Sequence, residues 1–337
     1  MESTLLNLRK RRFLPPAGGF AGMTCDKMLD IQKNIILSKY TTFQIGGAAK
    51  EFVVVKNKEE LIEAISHAKE KNEEFVVLGG GSNVLINDKG FNGLVIKLHI
   101  AGYKLHDNII ECEAGMMLSE LINLAAENKL SGLEWAMGVP GTLGGAIRGN
   151  AGAYGSNISS IVETVEVFEI NNNQISNFKS QDCDFSYRNS VFKKDKNLII
   201  ISAKLKFEKK NKDEIIAKMK ETNEKRVKRI PQGWKGSAGS FFENPTVENQ
   251  DLIAEFEKET GVKVSDKKIP AGWLIERAGL SGKKIGDVVV SETNCNFILN
   301  TGNGTAEQVI ILSSLIKQKV RGEFGVQLKE EVRMIGF

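Results

Sequence analysis

Cysteine, histidine and long apolar runs are all scarce in this chain. Its four cysteines, Cys25, Cys112, Cys183 and Cys295, include no C-x-x-C pair, which argues against a zinc knuckle or a dithiol motif and favours a reducing compartment. The three histidines, His67, His99 and His106, lie outside any H-E-x-x-H pattern or carboxylate cluster, so no metal is expected. No stretch reaches the roughly 20 apolar residues of a spanning helix, and no membrane partner is expected. A dominant charge sign is missing too: 46 Lys and Arg against 42 Asp and Glu leave +4. Most of that excess sits in residues 1–27, where Arg9, Lys10, Arg11, Arg12 and Lys27 face only Glu2 and Asp26. Nucleic acid is therefore not an expected partner. The segment Phe13–Gly19 is broken by Pro and Gly and lacks the apolar core of a secretory signal. A cytoplasmic protein is expected, with residues 1–34 a disordered leader and Met28 a candidate internal start.

Nucleotide fingerprints are missing as well. Gly79 and Gly81 are followed by Val84 where G-x-G-x-x-G needs glycine, and Gly302 and Gly304 by Glu307, which disfavours a Rossmann site. No G-x-x-x-x-G-K-[ST] occurs, which removes the P-loop enzymes.

What is present reads as mixed α and β structure. Glu51–Val55 predicts a buried strand, and Asn57 with Glu60 predicts a capping box for a helix over 58–71. Further strands are expected at 75–78, 94–98 and 109–112, then a helix over 118–129 that Gly132 would end. Strands follow at 165–170, 198–201 and 204–207. The charge run 209–213 marks a domain boundary before a helix over about 213–228. Thr305 with Gln308 predicts another capping box, opening a helix whose apolar face is Val309, Leu312, Leu315, Ile316 and Val320. A terminal strand is expected over 331–335.

Two glycine-rich segments stand out. Gly79-Gly80-Gly81-Ser82-Asn83 follows the strand at 75–78, placing unobstructed backbone N–H groups where phosphate oxygens could sit. A tight turn without ligand would look the same. The second segment, 138–155, contains Val139, Pro140, Gly141, Thr142, Gly144, Gly145, Ala146, Asn150, Gly152 and Ala153. It is too glycine-rich for an ordinary helix or strand interior, because each glycine costs roughly 0.5–1 kcal/mol relative to alanine. Two such loops would suit an extended diphosphate cofactor.

The ordered set Thr41–Gly47, Leu78–Leu85, Gly132–Trp135 with 138–155, Tyr187–Ser190, Ser237–Pro245, Ala271–Glu276 and Glu331–Arg333 resembles the UDP-N-acetylenolpyruvoylglucosamine reductase family, over roughly Ser38 to Gly336. The resemblance implies an α+β protein with a vanillyl-alcohol-oxidase-type FAD-binding fold. Its two α+β lobes would span 35–100 and 101–209, followed by a C-terminal α/β substrate-binding domain over 210–337. It implies FAD and NADPH as cofactors and UDP-N-acetyl-enolpyruvoylglucosamine as substrate; no oligomeric state is predicted, and the monomer is the default. Only nine residues separate Arg188 from Leu198, as in the shorter subclass of the family.

The resemblance also implies roles. Gly79, Gly80, Gly81, Ser82 and Asn83, with Val139, Pro140, Gly141, Thr142, Gly144, Gly145, Ala146, Asn150, Gly152 and Ala153, would hold FAD. Arg188 and Glu331 would act on the developing enolate, and Ser240 would donate the proton. Tyr187, Asn244 and a basic residue, Lys228 or Arg229, would hold the UDP diphosphate. Without the family, Arg188 would read as a surface ion-pair residue, Glu331 as a solvated edge residue and Ser240 as a turn or cap. Three residues depart from the family pattern: Arg148, Asn294, and Glu243, which stands where many relatives carry lysine and reverses a charge near the expected sugar nucleotide. A small-alcohol oxidase on the same flavin fold, or a flavin-binding relative without turnover, are the alternatives.

Overall fold

In the computed structural model, residues 29–228, 230–231 and 233–337 are described. Lobe 1 is built on apolar strands buried on both faces. Ala48–Val55, Phe91–Leu98 and Phe75–Leu78 lie parallel in that order. Val53, Val55, Leu94 and Ile96 point to one core, while Ala49, Phe52, Phe91 and Val95 point to another. Near-continuous apolar runs are what two-faced burial in a parallel sheet demands. The helix Lys58–Glu70 makes the crossover. Asn57 caps it by accepting from Glu60 N at 2.8 Å, while the Glu60 carboxylate reaches back to Lys56 N at 2.7 Å. An antiparallel edge strand, Gln32–Ile36, pairs with 48–52. Gln32 and Lys33 fall within the segment expected as leader, yet they are paired into the sheet. The leader's remaining residues through Met28 lie outside the described residues.

Lobe 2 is a five-stranded antiparallel sheet in the order 174–179, 162–169, 198–206, 109–113 and 103–106. The two strands expected at 198–201 and 204–207 are one, Leu198–Lys206, continuous through Ser202. Helix Leu118–Glu127 ends earlier than Gly132. Lys129 takes the left-handed turn at φ 60°, and Gly132 follows a short strand, Leu130–Ser131. Helix Lys212–Val227 buries Ile215 and packs Met219 on the lobe 2 core.

The C-terminal domain is an antiparallel sheet, Gly236–Ser240, Phe297–Asn300, Val288–Val290 and Lys284–Ile285. Helices Gln250–Thr260, Ala271–Arg277 and Ala306–Phe324 accompany it. The capping box at Thr305 and Gln308 has both its bonds, at 3.2 and 3.3 Å. Phe43, Ile45 and Leu85, early in the chain, belong to this domain's core. The last strand, Arg333–Ile335, returns to lobe 1 and runs parallel to Val84–Ile86. That return passes the chain's end directly beside the loop at Gly79–Asn83.

Candidate active site

The loop Gly79–Asn83 joins the strands Phe75–Leu78 and Val84–Ile86, and it lies against the second glycine segment. A β-carbon on Gly80 would sit 2.7 Å from the Gly141 Cα, and one on Gly81, whose φ is +65°, would sit 2.0 Å from the Tyr40 carbonyl. These two glycines are thus required by backbone-to-backbone packing. Ser82 Oγ donates to Pro140 O at 3.1 Å, adding a hydrogen bond between the loops. Lys97 Nζ donates to Gly79 O.

The glycine-rich run was expected to exclude helix, yet Leu143–Arg148 is a short α-helix capped by the Thr142 hydroxyl, which accepts from Gly145 N at 3.4 Å. Gly144 permits it by close contact with Ala114, whose Cβ would be 2.8 Å from an added β-carbon. Packing here outweighs the weak helix propensity of glycine. Val139 and Pro140 precede this helix, and Ala146 is buried within it. Gly152 and Ala153 form a two-residue hairpin strand against 156–157. Asn150 is buried, with its amide committed to Ser186 O at 2.9 Å and to Ser159 N at 3.3 Å, so it supports the turn that carries Arg188.

A cavity of 630 Å³ runs between the lobes, and Gly79, Thr142, Gly144, Gly145, Arg148 and Arg333 lie on its wall. A larger hollow of 730 Å³ along 160–164 and 179–181 holds none of the expected site residues. Neither Arg148 nor Arg333 has a hydrogen-bonding or ion-pairing side-chain partner among the described residues. Burial, and secondarily Arg333, pull the Arg148 guanidinium down to about 10, and burial lowers Arg333 also. Two adjacent cations with no ion pair of their own among the described residues suit an anionic guest. On the same wall Glu73 keeps Oε2 buried and without hydrogen-bond partner, while its Oε1 accepts from Lys50 Nζ at 2.7 Å. Sequence reasoning noted Arg148 only as an oddity and Arg333 only as part of a motif.

Two of the expected catalytic residues, Arg188 and Glu331, meet, and Ser240 precedes the residue whose carbonyl bonds Glu331. Its carboxylate Oε1 lies 2.9 Å from Arg188 Nε, although the Nε hydrogen finds no aligned acceptor. Its backbone N–H donates to Phe241 O at 2.9 Å, beside Ser240. Its carbonyl accepts from Asn83 Nδ2 at 3.3 Å. Glu331 therefore links the glycine loop, the Arg188 turn and the strand ending at Ser240. Burial raises the Glu331 carboxyl above its ordinary range, opposed by Arg188 and reinforced by Glu243. Ser240 is half-buried at the end of its strand, paired with Phe297. No hydrogen bond engages its hydroxyl among the described residues.

Arg188 occupies a tight turn in which Ser186 and Asn189 exchange both backbone hydrogen bonds at 3.1 Å. Its φ is +55°, a region that costs a non-glycine residue about 1–3 kcal/mol unless its surroundings enforce it. Beside it, the Tyr187 hydroxyl accepts from Asn244 N at 3.3 Å, and burial raises the phenol above its usual value. Lys268 Nζ stands 4.3 Å above the Tyr187 ring and donates to Asn244 O at 3.4 Å. Asn244 Oδ1 accepts from Ala271 N at 3.1 Å. Tyr187 and Asn244 are thus brought together, with Lys268, which no motif marks, as their cation. Lys228 is exposed at the helix end, and Arg229 lies outside the described residues. The reversed charge at Glu243 is matched by Lys193, 3.1 Å away. Asn294 serves its own turn, accepting from Asn296 N at 3.2 Å.

The chain is similar to known proteins along most of its length. Residues 231–335 match the family model "UDP-N-acetylenolpyruvoylglucosamine reductase, C-terminal domain", and residues 49–174 match "FAD binding domain". The chain is 38% identical to a UDP-N-acetylenolpyruvoylglucosamine reductase of Caldanaerobacter subterraneus subsp. tengcongensis, over 94% of this chain and 99% of that one. It is 36% identical to the enzyme of that name from Prochlorococcus marinus subsp. pastoris, over 92% and 99%. The crystal structure of UDP-N-acetylenolpyruvylglucosamine reductase from Thermus caldophilus superposes with a TM-score of 0.73 at 30% identity, covering 91% of this chain and all of that one.

Proposed function

Because the chain belongs to the UDP-N-acetylenolpyruvoylglucosamine reductase family, we propose that Arg188, Glu331 and Ser240 are the groups with which it reduces the enolpyruvyl ether of UDP-N-acetyl-enolpyruvoylglucosamine to UDP-N-acetylmuramate. That it is a flavin-linked reductase of this class follows from the family. The residue roles rest on one observation above the others, the convergence at Glu331 of Arg188 at 2.9 Å and the backbone next to Ser240.

The cavity fits FAD. Its volume is in the range of ligand pockets; Arg148 and Arg333 supply uncompensated positive charge for the diphosphate, and Glu73 Oε2 supplies an acceptor for a hydroxyl or amino group. When bound, FAD supplies the hydride that the enol ether receives, with NADPH as the electron source.

Hydride addition leaves an enolate on the substrate, and charge developing in a closed site needs a fixed positive partner. The Arg188 guanidinium meets that need, because its turn and Glu331 hold it in place. Glu331, its carboxyl raised by burial against the opposing effect of Arg188, acts with that arginine by holding the guanidinium at 2.9 Å beside the enolate. The Ser240 hydroxyl delivers the proton to the carbon bearing the carboxylate. A hydroxyl is a poor acid, and the transfer depends on close placement against a strongly basic carbon. Tyr187, Asn244 and Lys268 hold the UDP diphosphate.

Anaerobic stopped-flow measurement tests these roles. The wild-type protein bleaches with NADPH and regains colour with the enolpyruvyl sugar nucleotide. Ser240→Ala keeps the first step and loses the second by about 100-fold or more. Equal loss of both steps removes Ser240 as the acid.

A further inference from the structure

Lys193 reaches two groups at once. Its Nζ donates to the Arg188 carbonyl at 2.8 Å and lies 3.1 Å from Glu243 Oε1. Lys193 stands on the short helix Val191–Lys194 of lobe 2, whose preceding residue, Ser190, donates from Oγ to Arg148 O at 2.7 Å. Glu243 belongs to the C-terminal domain, where its N–H donates to Lys329 O at 2.9 Å and Phe242 bridges to Glu330. From there the chain leads one residue on to Glu331, whose carboxylate faces the Arg188 guanidinium. A closed ring results: Arg188 is gripped at its guanidinium by Glu331 and at its carbonyl by Lys193, and Lys193 is anchored across the domain boundary by Glu243.

The ring explains two otherwise awkward residues. Arg188 sits in the left-handed region that turns usually give to Gly or Asn. A strained non-glycine conformation persists only where neighbours over-determine it, and the Lys193 bond is the one side-chain contact to the Arg188 carbonyl among the described residues. Glu243, a carboxylate close enough to Glu331 to raise its carboxyl, would oppose an anionic substrate if left alone. Lys193 neutralises it.

We propose that Lys193, anchored by Glu243, is a positioning residue that fixes the Arg188 turn against the C-terminal domain and so aims the guanidinium at the substrate carboxylate. The proposal rests on the reductase reading above. It assigns no contact between Lys193 and substrate; the effect is transmitted through the Arg188 backbone. A misplacement of about 1 Å at such a group costs on the order of 100-fold in rate.

The test uses the FAD-loaded full chain and four variants, Lys193→Met, Lys193→Arg, Glu243→Gln and the exchange Lys193→Glu with Glu243→Lys. The readouts are bleaching by NADPH, reoxidation by the enolpyruvyl sugar nucleotide under saturating and limiting conditions, and thermal midpoint. Lys193→Met slows saturated reoxidation by roughly 10- to 100-fold and leaves bleaching nearly unchanged. Lys193→Arg, which can still donate to the carbonyl, recovers most of the rate. Glu243→Gln, which leaves the Lys193 bond in place, loses less than Lys193→Met. The exchange restores the ion pair and the thermal midpoint but cannot donate to the Arg188 carbonyl, so reoxidation stays slow. Full recovery of rate in the exchange variant makes the pair a plain interdomain ion pair and overturns the positioning role. Unchanged reoxidation in Lys193→Met overturns it as well. Failure of the wild-type protein to reoxidise with this substrate strikes the reductase reading instead.

Discussion

Replacing Arg148 by methionine has opposite consequences for the empty and the FAD-loaded protein. In the empty protein the guanidinium is largely buried, lacks a side-chain partner among the described residues and is repelled by Arg333, which together bring it down to about 10. A displacement of that size puts roughly 3 kcal/mol on the charged form. Residual water contact at the half-buried rim screens part of this, leaving about 1–2 kcal/mol. Methionine fills similar volume without charge, so Arg148→Met raises the melting temperature of the apoprotein by about 2–6 °C. If Arg148 holds the FAD diphosphate as proposed, the same substitution removes a charge-assisted hydrogen bond from the loaded protein, worth about 1.5–3 kcal/mol. Each 1.4 kcal/mol is tenfold in affinity, so the Kd for FAD rises about 10- to 100-fold. Apoprotein is titrated with FAD by fluorescence quenching, and both forms are melted at matched ionic strength. Added salt weakens FAD binding more in the wild type than in the variant, because one diphosphate contact has gone. Destabilised apoprotein together with unchanged FAD affinity would refute the reasoning, since Arg148 would then be a structural residue.

Two further predictions concern groups outside the catalytic set. Glu51 is buried in lobe 1 between Lys71 Nζ at 2.8 Å and His67 Nε2 at 2.9 Å. The Lys71 hydrogen bond, against the opposing effect of burial, holds its carboxyl below the ordinary range. A depressed carboxyl stabilises the fold above its unfolded-state pKa, and that contribution disappears as pH falls through the folded value. Glu51→Gln costs about 1–2 kcal/mol at pH 7 because both partners are part-exposed, and its urea midpoint converges with the wild type toward pH 3. A gap independent of pH counts against this. On the substrate side, Lys268→Met raises KM for the sugar nucleotide about tenfold and changes kcat little, the pattern of lost ground-state binding. A fall in kcat at unchanged KM would remove Lys268 from the diphosphate site.

Much of lobe 1 was legible because its sequence signals are local. Apolar runs such as Glu51–Val55 announce two-faced burial, and Asn57 with Glu60 fixes a helix start, as Thr305 with Gln308 does in the C-terminal domain. The C-terminal sheet was legible only as motifs, since strands of two to five residues such as Gly236–Ser240 and Val288–Val290 carry too little periodicity to read. The glycines were recognised as special but for an incomplete reason: Gly80 and Gly81 are demanded first by Gly141 and Tyr40. Lys97, Lys193 and Lys268 were invisible because a lone lysine in sequence is indistinguishable from a solvated one. Only the fold sets Lys97 under the Gly79 carbonyl, Lys193 under Arg188 and Lys268 over the Tyr187 ring.

On the proposed assignments, a few placed cations would let a nearly neutral chain hold two diphosphates. The net charge of +4 produces only a weak, salt-screened field at long range. Capture must then come from charges whose position, not number, is unusual. Arg148 and Arg333 share one cavity wall, and neither forms an ion pair among the described residues. On the substrate side the carboxylates of Glu331 and Glu243 are each matched by one cation, Arg188 and Lys193, which leaves Lys268 free of any ion pair among the described residues. The two clusters therefore differ in kind: the cofactor side keeps unpaired charge ready for a resident guest. The substrate side is balanced except for one lysine, as suits a ligand that must leave after every turnover.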